Sequence, residues 1–185
     1  ESIEALIRQV DEQWGELDFL VHSLAYADTQ DLSKPFSETL RDGFNKAIEI
    51  SAYSLLPLAK GLIPMMRKRG GGSIVSMSFI GSTLSVPNYN VMGPAKAALE
   101  SCTRYLAREL GPENIRINSL SPGAIRTLSS AGIKDISEMI RVAGEHSAMK
   151  RTATQAEVAN TAAFLLSDAA SGITGQLIYV DCGYS

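Results

Sequence analysis

Cysteine is scarce in this sequence, and its two cysteines form no recognisable pattern. Cys102 falls within a predicted helix and Cys182 follows the last predicted strand, so neither is spaced with other residues like a metal ligand. Secreted proteins that depend on disulfides use more cysteines at regular spacings. We therefore expect two buried, free thiols, a reducing cytoplasmic environment and no metal site.

Basic clusters and long apolar segments are also missing. The net charge is −3 and the pI about 5.4, and no stripe of lysine or arginine indicates a nucleic-acid partner. No apolar run reaches the roughly 20 residues of a membrane span, and residues 2–13 have the pattern of a charged amphipathic helix rather than a signal peptide. With 185 residues, 45% of them apolar, the chain can form one globular domain with a sizeable core.

A glycine-rich phosphate-binding fingerprint is absent as well. Such a loop follows a strand and opens a helix. The glycine triplet Gly70–Gly72 instead stands between a predicted helix and a predicted strand, and we interpret it as a helix stop. No acidic residue can be assigned to an adenosine ribose either. Both features belong to the first βαβ half of a nucleotide-binding fold.

Helical and strand-like patterns alternate along the chain. Helical periodicity occurs in five segments, at 2–13, 37–69, 90–110, 133–142 and 155–167. Short apolar strands are predicted at 17–21, 73–77, 115–120 and 177–180. We also expect a polar loop at 28–34, a break in the second helix near Pro57 and a capping box formed by Thr154 and Glu157. This alternation predicts an α/β fold with a doubly wound, Rossmann-like parallel sheet.

One stretch carries residues suited to catalysis. Tyr89 and Lys96 are seven residues apart, close to two turns of a helix predicted from about Asn90 to Leu110, and would share one face of it. A phenol beside an ammonium is a usable proton donor, because the cation stabilises the phenolate and lowers the pKa of the phenol. The same spacing also arises by chance in ordinary helices. The position after a predicted strand, where α/β sheets bind ligands, favours an active site.

This stretch resembles the active-site segment of a known enzyme family. Asn-Tyr-Asn-Val-Met-Gly at 88–93 and Ala-Lys-Ala at 95–97 are similar to the motif of bacterial enoyl-acyl-carrier-protein reductases, a branch of the short-chain dehydrogenase/reductase superfamily. Most other members of the superfamily place the lysine closer to the tyrosine. The likeness extends from about Trp14 to Tyr184. It implies NADH-dependent reduction of the trans-2 double bond of enoyl-acyl-carrier-protein thioesters in fatty acid elongation, by a cytoplasmic homotetramer.

The resemblance also implies roles for individual residues. Tyr89 and Lys96 would be catalytic, and Lys96 would also hold the nicotinamide ribose. Cofactor contacts are implied for Ser23, Leu24, Lys96, Ile125, Arg126, Thr127, Leu128 and Ser129. Ala27, Phe79 and Tyr89 would border the acyl substrate, and residues 128–150 would cover it as a mobile lid. Phe79 stands where the family usually has a second tyrosine, so any role of that hydroxyl is absent or reassigned.

Two other polar residues have both a functional and a structural interpretation. His22, at the end of the first predicted strand, fits a hydrogen-bonded structural histidine better than a catalytic base. Ser76 lies thirteen residues before Tyr89, near the place of the catalytic serine in other superfamily members. Within a strand it could equally be structural.

The resemblance further predicts that the chain is incomplete. Roughly 70 residues, the first βαβ half, would precede Glu1. Residues 1–185 would then be a single domain, the C-terminal two-thirds to three-quarters of a Rossmann-type reductase, with poor NADH affinity in isolation. Two alternative functions stay open: a 3-ketoacyl thioester reductase, which the long Tyr89–Lys96 spacing disfavours, and a non-catalytic truncated subunit.

Overall fold

The computed structural model describes residues 2–127, 130 and 133–185, which form seven α-helices and one sheet of four parallel strands. The helices are α1 (Ile3–Trp14), α2 (Thr29–Ser33), α3 (Arg41–Ile48), α4 (Leu55–Lys68), α5 (Met92–Leu110), α6 (Ile136–His146) and α7 (Gln155–Leu166). The strands are β1 (Phe19–His22), β2 (Gly72–Met77), β3 (Ile115–Pro122) and β4 (Leu177–Val180). None of the described helices has the length and apolar character needed to cross a membrane.

The sheet has the strand order β1-β2-β3-β4, and each neighbouring pair is parallel. Parallel neighbours need a long crossover, and each crossover here contains at least one helix. All four strands therefore point the same way. The loops that follow β1, β2 and β3 meet at the carboxyl edge of the sheet, where the sequence predicts a ligand site.

Helices cover both faces of the sheet, which confirms the predicted α/β class. Successive strand residues point to opposite faces, so Ile74 and Val75 of β2 enter different cores. Ile74 packs with α4 and α5 in one cluster of buried residues, and Val75 packs with α7 in another. Leu120 of β3 belongs to the α7 cluster and is also fully buried.

The second predicted helix is divided, and its break lies before Pro57. After α3 the backbone forms a π-helical turn at Glu49–Tyr53, in which the Ser54 amide donates to the Glu49 carbonyl at 3.0 Å. A proline ring clashes with the carbonyl four residues before it, here that of Tyr53. The wider π turn accommodates this clash, and Pro57 itself lies in the first turn of α4, where a missing N–H costs little.

Other boundaries also differ from the sequence prediction. β1 begins at Phe19 rather than at residue 17, and α6 begins at Ile136 rather than at 133. The polar loop expected at 28–34 is wrong, because residues 29–33 form α2. A distant side chain supports this short helix: Asn90 Nδ2 lies 3.2 Å from the Asp31 carbonyl and 2.8 Å from the Lys34 carbonyl.

Two local expectations have different outcomes. The capping box of α7 is confirmed, since Thr154 Oγ1 accepts from the Glu157 amide at 3.2 Å and Glu157 accepts from the Thr154 amide at 2.8 Å. Cys102 and Cys182 are free thiols, as expected, but both are half-buried rather than fully buried. Cys182 has a φ of +60°, a left-handed conformation that glycine adopts more readily.

Candidate active site

A cavity of about 430 Å³ opens at the carboxyl edge of the sheet. Its lining comes from the loops after β1, β2 and β3, from α2, from the turn before α5 and the start of α5, and from the N-terminal part of α6. Among the residues predicted for the site, those that line it are Ser23, Leu24, Ala27, Phe79, Tyr89, Lys96, Ile125 and Thr127. The fold thus brings together side chains that are more than a hundred residues apart in the sequence.

Three of the predicted cofactor contacts lie elsewhere or cannot be placed. Arg126 is exposed, and its Nη2 donates to Ser137 Oγ at 2.6 Å. Its carbonyl accepts from Gln155 Nε2 at 3.1 Å. Arg126 therefore connects the loop after β3 to α6 and α7. Leu128 and Ser129 lie outside the described residues, so their cofactor contacts stay predictions, as does the mobility predicted around them.

Tyr89 does not lie on α5, which corrects the argument that placed it on one helix face with Lys96. The helix begins at Met92, and Tyr89 belongs to the preceding turn. The residues on either side of it, Asn88 and Asn90, have φ values of +60° and +37°. Asparagine tolerates this left-handed region, which interrupts a helix. Tyr89 and Lys96 nevertheless line the same cavity.

Two glycines and Phe79 determine the position of the Tyr89 ring. A Cβ atom at Gly81 would lie 2.4 Å from Tyr89 Cδ1, and one at Gly93 would lie 2.8 Å from the Gly81 carbonyl oxygen. The Phe79 ring packs against Tyr89 with centroids 4.8 Å apart and an interplanar angle of 55°, a favourable tilted geometry. Phe79 thus supports the phenol of Tyr89 by packing and contributes no second hydroxyl.

The phenol of Tyr89 is harder to ionise than free tyrosine, contrary to the sequence expectation. Its side chain is 7% exposed, and burial raises its pKa, with the carboxyl group of Glu100 adding to the effect. The lowering expected from Lys96 is absent because burial dominates and the ammonium is directed to a carbonyl. At neutral pH Tyr89 is therefore a hydrogen-bond donor.

Lys96 is a buried cation at the end of β2. It is 5% exposed, and its Nζ donates to the Met77 carbonyl at 2.7 Å. Burial lowers the pKa of Lys96 to about 8, and the opposite charge of Glu100 works against that effect. Its protonation therefore changes within a pH range accessible to experiment.

Glu100 and Ser78 were not singled out by the sequence analysis. Glu100 lies one helical turn after Lys96 and is 6% exposed, and the Ser78 hydroxyl donates to its carboxylate. Ser78 is itself buried and immediately follows β2. The spacing from Lys96 to Glu100 was visible in the sequence, but burial of both ends was not.

His22 is hydrogen-bonded, as expected for a structural histidine. Its Nε2 lies 2.9 Å from Ser54 Oγ, and Ser54 donates its own hydrogen to the Ile50 carbonyl at 2.6 Å. His22 must therefore be the donor, so Nε2 carries the proton. Burial, and then the charge of Lys96, lower the pKa of His22 to about 4, which keeps the ring neutral at pH 7.

Two serines have structural contacts that fix elements around the cavity. Ser76 Oγ lies 3.0 Å from Thr103 Oγ1 and 2.8 Å from Ser119 Oγ, and it is fully buried between β2, β3 and α5. Ser51, in the π-helical turn, accepts from the Tyr26 amide at 2.9 Å and so holds the loop after β1. These contacts support the structural interpretation of Ser76.

The cavity fits a nicotinamide nucleotide in the chemistry of its lining. Ser23, Ala25 and Ala27 are small and allow a ligand to approach the backbone. Lys96 Nζ carries protons beyond the one that it donates to the Met77 carbonyl, and these suit hydroxyl acceptors such as those of a ribose. Thr127 lines the cavity with its amide held by Ser130 Oγ at 2.8 Å, so the loop after β3 has a defined shape there.

Comparison with known proteins identifies the family. The family model described as "Enoyl-(Acyl carrier protein) reductase" matches residues 1–185. Proteins named enoyl-[acyl-carrier-protein] reductase [NADH] FabI from Synechocystis sp. and Neisseria meningitidis serogroup B are 52% and 47% identical. The alignments cover 99% and 100% of this chain, which spans 70% and 71% of those relatives.

Solved structures agree with this result. The crystal structure of FabI from Candidatus Liberibacter asiaticus has a TM-score of 0.95 at 40% identity, over 99% of this chain and 70% of that one. An Anaplasma phagocytophilum enoyl-(acyl-carrier-protein) reductase in complex with NAD has a TM-score of 0.93 at 40% identity, over 99% and 69%. On fold, motif and similarity over its whole length, this chain belongs to the enoyl-acyl-carrier-protein reductase family.

Proposed function

We propose that this protein reduces the trans-2 double bond of enoyl-acyl-carrier-protein thioesters with NADH, as a step of fatty acid elongation. The observation that carries the proposal is the meeting of Tyr89, Lys96 and Thr127 in one cavity of a chain from this family. The names of the relatives, which specify acyl carrier protein and NADH, and the NAD complex of one structural neighbour support the choice of substrate and cofactor.

The proposed roles follow from the protonation, charge and packing of each side chain. Bound NADH supplies a hydride for the β-carbon of the enoyl thioester. Tyr89, kept protonated by burial, donates a hydrogen bond to the thioester oxygen and stabilises the enolate. Lys96 holds the nicotinamide ribose and adds positive charge near the developing oxyanion. Phe79 packs behind Tyr89, and Ala27 leaves room for the acyl chain.

Cofactor placement is proposed for the remaining lining residues. Ser23 and Leu24 border the nucleotide from the loop after β1. Ile125 contacts the carboxamide and Thr127 the pyrophosphate, both from the loop after β3. The lining of the cavity by these four residues supports the assignment.

Substitution of the catalytic pair tests the proposal. We expect Tyr89→Phe to lower kcat by about 100-fold, the size of a lost oxyanion donor, with little change in NADH affinity. Lys96→Ala should lower kcat and weaken NADH binding as well. NADH oxidation and fluorescence titration measure the two effects. Unchanged turnover in both variants would contradict the proposed mechanism.

The choice of substrate is tested on the unaltered protein expressed from its complete reading frame. An enoyl thioester and a 3-ketoacyl thioester are compared in parallel by NADH oxidation. Activity on the enoyl substrate alone agrees with the proposal. Activity on the ketone alone would assign the alternative reductase function, and activity on neither, with NADH still bound, would point to Phe79 or to a non-catalytic subunit.

We also infer that the protein is a cytoplasmic homotetramer. Two free cysteines support the location. The long helices α4 and α5 support the assembly, because helices at these positions build tetramers in the superfamily that the sequence resembles. The proposed assembly therefore contains four subunits.

A further inference from the structure

Two hydrogen bonds join the end of β2 to one turn of α5. The Met77 carbonyl accepts from Lys96 Nζ at 2.7 Å, and one turn later Glu100 accepts from the hydroxyl of Ser78, the residue after Met77. Lys96, Glu100 and Ser78 are each less than 7% exposed. Ammonium and carboxylate are thus held by two consecutive residues at the strand end, directly beside the cavity.

A carboxyl group in this place is costly unless its charge has a use. Burying an ionised carboxylate carries a large desolvation penalty, which one hydroxyl donor offsets only in part. If Glu100 only tied α5 to β2, a neutral glutamine would serve, since its amide oxygen also accepts from Ser78. The distinguishing property of glutamate here is its negative charge.

The surroundings of Lys96 contain few groups that could supply that charge. Among the described residues, His22 on β1 is neutral at pH 7 and Tyr89 is protonated. Glu100 is the acidic group that acts on Lys96. Two other carboxyl groups are buried among the described residues. Asp31 on α2 lies against Gly43 of α3, and Asp181 after β4 accepts from the Gly183 and Ser185 amides at 2.9 Å and 2.8 Å.

Charged groups on the other elements around α5 are directed elsewhere. Those of α3 and the π-helical turn are exposed, namely Arg41, Asp42, Lys46 and Glu49. On β3, Arg116 donates to the carbonyls at the end of α7. The electrostatic environment of Lys96 therefore depends on its own helix.

From this arrangement we propose that Glu100 is a positioning residue of the reaction, whose carboxylate, held by Ser78, keeps Lys96 charged while the Met77 carbonyl holds the ammonium at the end of β2. The consequence for turnover rests on the proposed function, in which Lys96 acts as a cation. The effect on Lys96 itself does not depend on any substrate.

Replacement of Glu100 by glutamine tests the charge while keeping the shape and the acceptor. The Lys96 signal, identified by its loss in Lys96→Met, is followed by ¹³Cε-lysine NMR over pH in the purified protein. We expect Glu100→Gln to lower the Lys96 pKa by about one unit. The alkaline limb of the pH profile of kcat/KM should then move down by the same amount.

The size of the loss depends on pH, which a merely structural defect would not reproduce. With a Lys96 pKa near 8 in the unaltered protein, a shift of about one unit lowers the charged fraction by about fivefold at pH 8 and hardly at all at pH 6. Glu109→Gln, an exposed glutamate on the same helix, is the matched control and should leave both measurements unchanged.

An unchanged Lys96 pKa in Glu100→Gln would overturn the inference, whatever the activity of the variant. If that variant fails to fold, Glu100→Asp carries the test. The aspartate side chain is shorter by one methylene, so its carboxylate lies farther from Lys96. The Lys96 pKa must then fall, but by less than in Glu100→Gln, and an unchanged pKa refutes the proposal. An inactive unaltered protein would contradict the proposed function alone, because the NMR titration needs no turnover.

Discussion

At the scale of single residues, the position of the Tyr89 ring depends on neighbours that carry no catalytic group. Tyr89 fills space left by a missing side chain at Gly81 and packs on Phe79. Asn88 and Asn90 allow the backbone conformation that turns the ring into the cavity. The reactive group is therefore located by small residues and left-handed turns rather than by a helix face.

A methyl group at Gly81 should displace this ring. In Gly81→Ala the new Cβ would lie 2.4 Å from Tyr89 Cδ1, closer than any real contact, so the ring must move. A displacement of about 1 Å in an active site commonly costs about 100-fold in rate. We expect kcat with an enoyl thioester to fall by about that factor, while NADH affinity changes little.

Gly111→Ala is the matched control for this variant. Nothing lies within 4 Å of a Cβ at Gly111, and its φ of −52° suits alanine. Steady-state kinetics and thermal unfolding are measured for both proteins. Equal activity of Gly81→Ala and the unaltered protein would show that the ring position is not set by this contact.

At the scale of elements, the π-helical turn between α3 and α4 has a clear role. It brings Ser51 to the loop after β1 and is followed directly by Ser54, which accepts from His22. Short π-helical segments often lie at functional sites. Here the turn accommodates Pro57, and through Ser51 it also holds the backbone of a loop that lines the cavity.

Loss of the Ser51 hydroxyl should loosen that loop. Ser51→Ala leaves the part-buried Tyr26 amide without its acceptor, and the loss of such a hydrogen bond costs about 0.5–1.5 kcal/mol. We expect the free energy of unfolding to fall by about that amount and KM to rise. Urea unfolding and steady-state kinetics provide the measurements.

Ser33→Ala is the control, because the hydroxyl of this exposed serine bonds, within the described part of the chain, only to carbonyls of its own helix. Its stability should stay within about 0.5 kcal/mol of the unaltered protein. A Ser51→Ala variant as stable and active as Ser33→Ala would mean that the hydroxyl does not hold the loop.

Sequence patterns predicted elements whose causes are local. The apolar periods of α5 and α7, the capping box at Thr154 and the strand β2 depend on neighbours in the sequence, and all appear in the structure. The helix α2 could not be predicted in this way, because Asn90 supports it from more than fifty residues away. Contacts of that kind are created by the fold.

In the candidate site, too, the sequence predicted what depends on local residues and missed what depends on the tertiary structure. The motif located Tyr89 and Lys96, but it placed Tyr89 on a helix and assigned it the wrong pKa direction. Burial determines that direction, and burial depends on the packed tertiary structure. Glu100 escaped notice for the same reason, since a glutamate in a helix is usually exposed.

At the scale of the whole molecule, α5 presents a large aromatic side chain to solvent. Tyr105 is 77% exposed and lies on the helix proposed for subunit contacts. Aromatic residues are enriched at protein interfaces. Its exposure is consistent with burial against another subunit in the proposed tetramer.

A charge at this position should weaken the assembly. We expect light scattering to give four subunits for the unaltered protein and a smaller assembly for Tyr105→Glu, because a carboxylate is costly to bury in an interface. Gln13→Glu, at an exposed polar position on α1, is the control and should keep the subunit number. A monomer in the unaltered protein, or a Tyr105→Glu variant of unchanged mass, would contradict the proposed interface.

The parallel sheet also determines when the site can form. Its register pairs Phe19 with Ser73, Gly72 with Ile115 and Ser119 with Leu177, so every strand pair joins residues more than forty apart in the sequence. Such non-local pairing must close long loops first and is slow, whereas helices form quickly. The cavity lies at the ends of three strands. During refolding, the helical signal in circular dichroism should therefore recover before the ability to bind NADH.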